Sequence, residues 1–138
     1  MLLSKKIFRK EAGIICDRLE KNVLYKLESQ NSRMMIVKHE DFSLRPVFWT
    51  ESIYNFIGYP PTKELIDWVK TATLNGNGND FSTKRVSSQV IYSWRKSLSF
   101  EKVLAVQAVC KLDLLKYKVF DSETELRNLK IPSFQSFN

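Results

Sequence analysis

Residues 34–41 read Met34-Met35-Ile36-Val37-Lys38-His39-Glu40-Asp41. Four apolar side chains stand in a row, and a polar cluster follows at once. The run is too short for an amphipathic helix, and it does not alternate. It therefore suits a strand buried on both faces in a parallel sheet, although a run this short also admits a buried helical turn. In open α/β sheets, ligands gather at the carboxyl ends of strands, where loops and helix starts converge. This stretch predicts an α/β fold, mostly helical here, with one parallel-type strand and a site beginning at His39.

Helices are expected on both sides. Over residues 11–28, Ile15, Leu19, Val23 and Leu27 recur every four residues and predict one apolar stripe. Residues 29–32 are a polar stop. Downstream, Ser43 is placed to cap a helix beginning near Pro46. Trp49, Ile53, Phe56 and Ile57 share its inward face, and Gly58 ends it as a left-handed C-cap. Tyr59-Pro60-Pro61 forces a turn. Thr62 caps the next helix, with Glu64 near its positive end and Leu65, Ile66 and Val69 inward, joined by Trp68. Residues 75–80 form a Gly/Asn loop, residues 81–88 stay irregular, and residues 90–96 predict a short helix. Ser99 starts the last helix, with Leu98 and Val103 as a hydrophobic staple. Val103, Val106, Cys110 and Leu114 continue its stripe. From Asp121 onward the chain reads as a polar tail. One strand makes no sheet, so the order favours part of a larger α/β domain.

At 138 residues the chain is at most one domain, long enough for a core without staples. With 43% hydrophobic and 27% charged residues, the composition argues against wholesale disorder. The formal net charge of +7 points to an anionic partner or to a plain solvated surface. The apolar runs are about four residues, against the ~20 of a spanning helix. Residues 1–10 lack the apolar core of a signal peptide. Cys16, Cys110 and His39 are too few and too scattered for a zinc site. The two cysteines are buried thiols in a reducing compartment or a single bridge in an oxidising one.

Chemistry-bearing residues concentrate in two places. His39 with Glu40 and Asp41 reads as an acid–base cluster or, more simply, as a strand end followed by helix-capping acids. Thr83-Lys84-Arg85-Val86-Ser87-Ser88 offers two cations and three hydroxyls, a set that suits phosphate. Trp94-Arg95 adds an aromatic face and another cation. The alternative is a solvated loop beside a buried tryptophan. No GxxxxGK[ST] phosphate loop occurs.

These residues carry a family resemblance. Val37-Lys38-His39-Glu40-Asp41-Phe42, Pro46 and Ile53-Tyr54-Asn55-Phe56-Ile57-Gly58 follow a V-R-Y-E-D-L, P, I-Y-x-F-x-G order. Trp68 and Thr71 match a tryptophan helix running into a threonine. Thr83-Lys84-Arg85-Val86-Ser87, Trp94-Arg95, Leu98-Ser99-Phe100 and Cys110 follow T-x-R-N-S, W-R, L-[ST]-[FY] and a late cysteine. Ile15-Cys16 matches in the first helix. In this order and spacing the chain resembles the carboxyl-terminal half of the Golgi carbohydrate 6-O-sulfotransferases. The match runs from about residue 13 to residue 129, leaving residues 1–10 and 130–138 as tails.

The resemblance implies the carboxyl-terminal part of a P-loop-like sulfotransferase domain. It implies a sulfo donor, 3′-phosphoadenosine 5′-phosphosulfate, no metal, and a glycan or glycosaminoglycan acceptor sulfated at a sugar 6-hydroxyl. By similarity Thr83, Lys84, Arg85 and Ser87 cover the donor's 3′-phosphate, and His39 and Thr71 lie near the adenine. Trp94 and Arg95 anchor the loop, and Arg95 reaches the nucleotide. It assigns no catalytic residue here. His39 stands where the family has tyrosine, and Val86 where it has asparagine. The 5′-phosphosulfate cradle, the R-D-P-R element and the Golgi membrane anchor fall outside these residues. The expectation is a partial domain, inactive alone, with low stability and an exposed apolar patch. If the protein reaches an oxidising lumen, Cys16 and Cys110 are expected to pair. The competing readings are a small basic nucleic-acid-binding module and a non-catalytic interaction module.

Overall fold

The computed structural model describes residues 2–29, 32–74 and 86–137. They form eight helices: α1 (Leu2–Ser29), α2 (His39–Leu44), α3 (Pro46–Phe56), α4 (Lys63–Leu74), α5 (Ser87–Val90), α6 (Trp94–Ser97), α7 (Phe100–Gln107) and α8 (Glu123–Arg127). The chain divides into two compact units, Met1–Ile36 with Trp94–Asn138, and Val37–Ser93. Among the described residues no strand ladder occurs. Residues 34–38 carry no regular structure, in place of the expected strand. An apolar run becomes a strand only when a neighbour supplies ladder hydrogen bonds, and no described segment does so.

In the first unit α1 packs on α7. The helix begins well before residue 11, because Lys5, Lys6, Arg9 and Lys10 are good helix formers with no breaker among them. Its buried positions are Cys16, Glu20 and Val23, whereas Ile15 is 59% exposed and Leu19 and Leu27 are also exposed. The expected stripe therefore faces water except at Val23. Two long-range bonds set the rotation. Cys16 is disulfide-bonded to Cys110, with Cα atoms 5.3 Å apart. The Glu20 carboxylate accepts the Lys111 backbone N–H at 2.7 Å.

The core of this unit is Val103, Phe120 and Leu126, with Trp94, Leu98, Phe100 and Ile131 packed against it. Leu98 and Val103 meet there, as the staple predicts. α7 is short, so Cys110 lies beyond it, and Leu115 rather than Leu114 is buried. Residues 130–137, expected as a tail, close the unit. Lys118 N donates to the Ser133 carbonyl at 2.9 Å, and Gln135 N donates to the Lys116 carbonyl at 2.8 Å. These bonds flank an antiparallel bridge between Tyr117 and Phe134.

In the second unit α2, α3 and α4 pack in succession, and α5 packs on α2. Among its described residues Trp49, Val69, Ala72 and Ile91 are buried and apolar, while Phe56 and Ile57 are exposed. α3 ends as the sequence predicts. Gly58 has φ 82°, Gly58 N donates to the Asn55 carbonyl at 3.1 Å, and Tyr59 N donates to the Tyr54 carbonyl at 3.0 Å. That pair of bonds is a Schellman stop, which needs a left-handed residue. Thr62 Oγ1 accepts the Leu65 N–H at 3.3 Å at the start of α4. Ser43 does not cap α3. It lies buried inside α2, and Arg45 takes the cap position.

Candidate functional site

α2 brings His39 and Ser43 one turn apart. His39 is exposed, Ser43 is buried, and Ser43 Oγ lies 3.5 Å from His39 Nε2, the outer limit of hydrogen bonding. Ser87, the first residue of α5, donates its hydroxyl to the Ser43 carbonyl at 2.6 Å across 44 positions. Two of the residues chosen from sequence, His39 and Ser87, are thus gathered around Ser43. The remaining polar residues of α2 separate from His39, because Glu40 and Asp41 are buried, as is Lys38 just before the helix. The three residues of the expected acid–base cluster are split between solvent and interior. The strand-end reading fares no better, since the run before α2 is not a strand.

Thr71 sits on the exposed face of α4, and its hydroxyl donates to the Asp67 carbonyl at 3.0 Å. Trp68, one turn earlier, is 56% exposed. Thr83, Lys84 and Arg85 lie outside the described residues. Among the described residues no group of His, Cys, Asp and Glu is set to hold a metal ion.

Trp94 and Arg95 belong to the first unit. Trp94 makes an edge contact with Phe120, with ring centroids 6.3 Å apart. Arg95 is fully buried. Its Nε donates to the Leu126 carbonyl at 2.6 Å and its Nη1 to the Ile131 carbonyl at 2.8 Å. Its Nη2 donates to the carbonyls of Glu125 at 3.1 Å and Asn128 at 2.9 Å. Arg95, which the resemblance places within reach of the nucleotide, has its guanidinium turned into the core here. The fork of donors that would bind phosphate is engaged by four main-chain oxygens inside the core. Arg127 returns the contact, donating to the carbonyls of Arg95 and of Leu98, the latter at 3.1 Å.

Ser43 and Arg127 escaped the sequence reading. Ser43 looked like a cap for α3, and Arg127 lay in the presumed tail. A Ser-x-x-Glu helix-start signature, Ser122 to Glu125, marked a helix at the second. Ser122 Oγ accepts the Glu125 N–H at 3.1 Å, and Glu125 Oε2 accepts the Asp121 N–H at 2.9 Å. The Glu125 carboxyl is held below its ordinary value, first by its hydrogen bond from Lys118 and then by the Asp121 N–H. Two hollows lie in this same unit. One, of about 640 Å³, is lined by Lys116, Tyr117, Lys118 and Phe134 among others. The other, of about 260 Å³, is apolar and touches Trp94, Leu98 and Phe120.

No family model matches the chain, and no solved structure matches it. Curated proteins do. Carbohydrate sulfotransferase 1 of Danio rerio is 35% identical over 105 residues, covering 72% of this chain and 25% of that protein. Carbohydrate sulfotransferase 3 of Tetronarce californica is 32% identical over 100 residues, covering 70% of this chain and 23% of that protein. Carbohydrate sulfotransferase 1 of Homo sapiens is 33% identical over 101 residues. The chain spans about a quarter of the length of these relatives. Over the matched portion, about 70% of its length, the chain belongs to the carbohydrate sulfotransferase family.

Proposed function

We propose that this chain supplies the carboxyl-terminal, nucleotide-binding part of a P-loop-like carbohydrate sulfotransferase acting in the Golgi lumen. The donor is 3′-phosphoadenosine 5′-phosphosulfate, and the acceptor is a sugar 6-hydroxyl of a glycan or glycosaminoglycan. In that reaction the sugar oxygen forms a bond to sulfur as the sulfur–oxygen bond to the 5′-phosphate breaks. Adenosine 3′,5′-bisphosphate leaves, and the hydroxyl proton passes to a base. Rate enhancement rests on in-line placement and on charge stabilisation at the sulfo oxygens, as in phosphoryl transfer.

The observation that carries this reading is the relationship to carbohydrate sulfotransferases 1 and 3. The order of motifs from Ile15-Cys16 to Cys110 agrees with it. Lys84 and Arg85, with the Thr83 hydroxyl, form the set that meets the 3′-phosphate, and Ser87 closes the stretch. His39 and Thr71 border the adenine. Trp94 and Arg95 hold the chain downstream of the loop, Arg95 by its bonds to the core. In the family the 5′-phosphosulfate cradle is a separate element, and transfer needs it together with these residues. The Cys16–Cys110 disulfide suits an oxidising lumen.

Titration calorimetry with adenosine 3′,5′-bisphosphate tests the reading. Arg85→Ala is expected to weaken binding about tenfold or more, and Lys84→Ala by less, because arginine grips phosphate through two parallel bonds. Equal affinity in wild type and Arg85→Ala rejects the role. Salt-steep binding of oligonucleotides that the bisphosphate does not compete points instead to a nucleic-acid module.

A further inference from the structure

We propose that the Ser87 hydroxyl is an internal anchor, tying α5 to α2 through the Ser43 carbonyl, and not a group that binds the nucleotide. A hydroxyl has one proton to donate. In Ser87 that proton points at the Ser43 carbonyl, 2.6 Å away, so it is not offered to a phosphate oxygen. The carbonyl needs it. Ser43 is buried and sits in the last turn of a six-residue helix, whose final carbonyls lack a helical donor. The chain leaves the helix at Arg45, with φ −135° and ψ 59°, so the helix does not continue to cover Ser43. A buried carbonyl left without a donor costs about as much as a lost hydrogen bond. The two requirements meet in one contact 44 positions apart in sequence.

The consequence for the proposed donor site rests on that reading. Only Val86 separates Ser87 from Arg85. The anchor therefore holds the residue two positions after Arg85 against the helix that begins with His39. Ser87 is a positioning residue, and direct phosphate contact falls to the residues before it. Ser43 serves through its main chain, so its own side chain is dispensable for the anchor.

Amide hydrogen exchange on the full ligand-free chain tests this without any nucleotide. Ser87→Ala is expected to speed exchange in α5 about fivefold, the loss of one ordinary hydrogen bond. Ser87→Thr keeps a hydroxyl and restores protection. Ser43→Ala keeps the carbonyl and leaves α5 protection unchanged. Unaltered exchange in Ser87→Ala overturns the proposal, and so does loss of α5 protection in Ser43→Ala. The same variants are then titrated with adenosine 3′,5′-bisphosphate. Weaker binding by Ser87→Ala, restored in Ser87→Thr and accompanied by faster ligand-free exchange, supports the anchor. Weaker binding with unaltered exchange makes Ser87 a ligand and overturns it. If wild type binds no nucleotide while α5 exchange still responds to Ser87→Ala, the anchor stands and the donor reading fails.

Discussion

Arg95 concentrates the residue-scale physics of this protein. A buried guanidinium is costly unless its donors are satisfied. Here four carbonyls accept from it, and its Cζ lies 4.8 Å from the centre of the Phe120 ring. Removing it leaves those carbonyls without donors beneath α8. Arg95→Met is therefore expected to cost about 3 kcal/mol or more in urea denaturation. Arg95→Lys is expected to recover little, because three ammonium donors cannot reproduce a planar fork. A loss below about 1 kcal/mol for Arg95→Met contradicts this arrangement. The family resemblance, and not the residues alone, gave Arg95 a reach to the nucleotide. In the structure its partners are main-chain oxygens 30 to 36 positions away, and a carbonyl leaves no mark in the sequence.

Among the elements, features set by neighbouring residues were legible, and features set by distant ones were not. The Gly58 stop, the Thr62 cap and the Leu98–Val103 staple each depend on a few consecutive residues, and each forms. Gly58→Ala places a Cβ at φ 82° and is expected to cost about 1 kcal/mol. An unchanged melting temperature contradicts that. The face of α1 was misread because period alone cannot foresee a disulfide 94 positions away or the bond from Glu20 to Lys111. The short run at residues 34–37 failed as a strand for a related reason, since strand character belongs to a pair. α8 carries a pH prediction. The Glu125 carboxyl is held below its ordinary value in the folded protein, chiefly by the hydrogen bond from Lys118. Its contribution is present above that ordinary value and is lost as pH falls through the lower folded value. Glu125→Gln should flatten the acid limb of a stability–pH curve. An identical limb in wild type and variant removes Glu125 from this role.

At the scale of the whole molecule, the disulfide and the exposed apolar side chains dominate. Cys16–Cys110 joins two residues of the first unit and closes a loop 94 positions long, and the double replacement by serine is expected to cost about 2 to 5 kcal/mol. Two free thiols in non-reducing mass spectrometry of secreted material contradict the pairing. Ile7, Ile14 and Ile15 on α1, and Phe48 and Phe56 on α3, are exposed, so a dye for apolar surface is expected to bind. A cooperative thermal transition without dye binding argues against open apolar faces. The family was legible because it rests on the order of short motifs, which survives where periodicity misleads. The most direct test of the central claim is a two-dimensional amide NMR titration of the full chain with adenosine 3′,5′-bisphosphate. The account predicts saturable shifts centred on His39, Thr71 and residues 83–87, with the Arg95 guanidinium resonances unmoved. Absence of shifts, or shifts confined to the groove at Lys116 and Phe134, contradicts it.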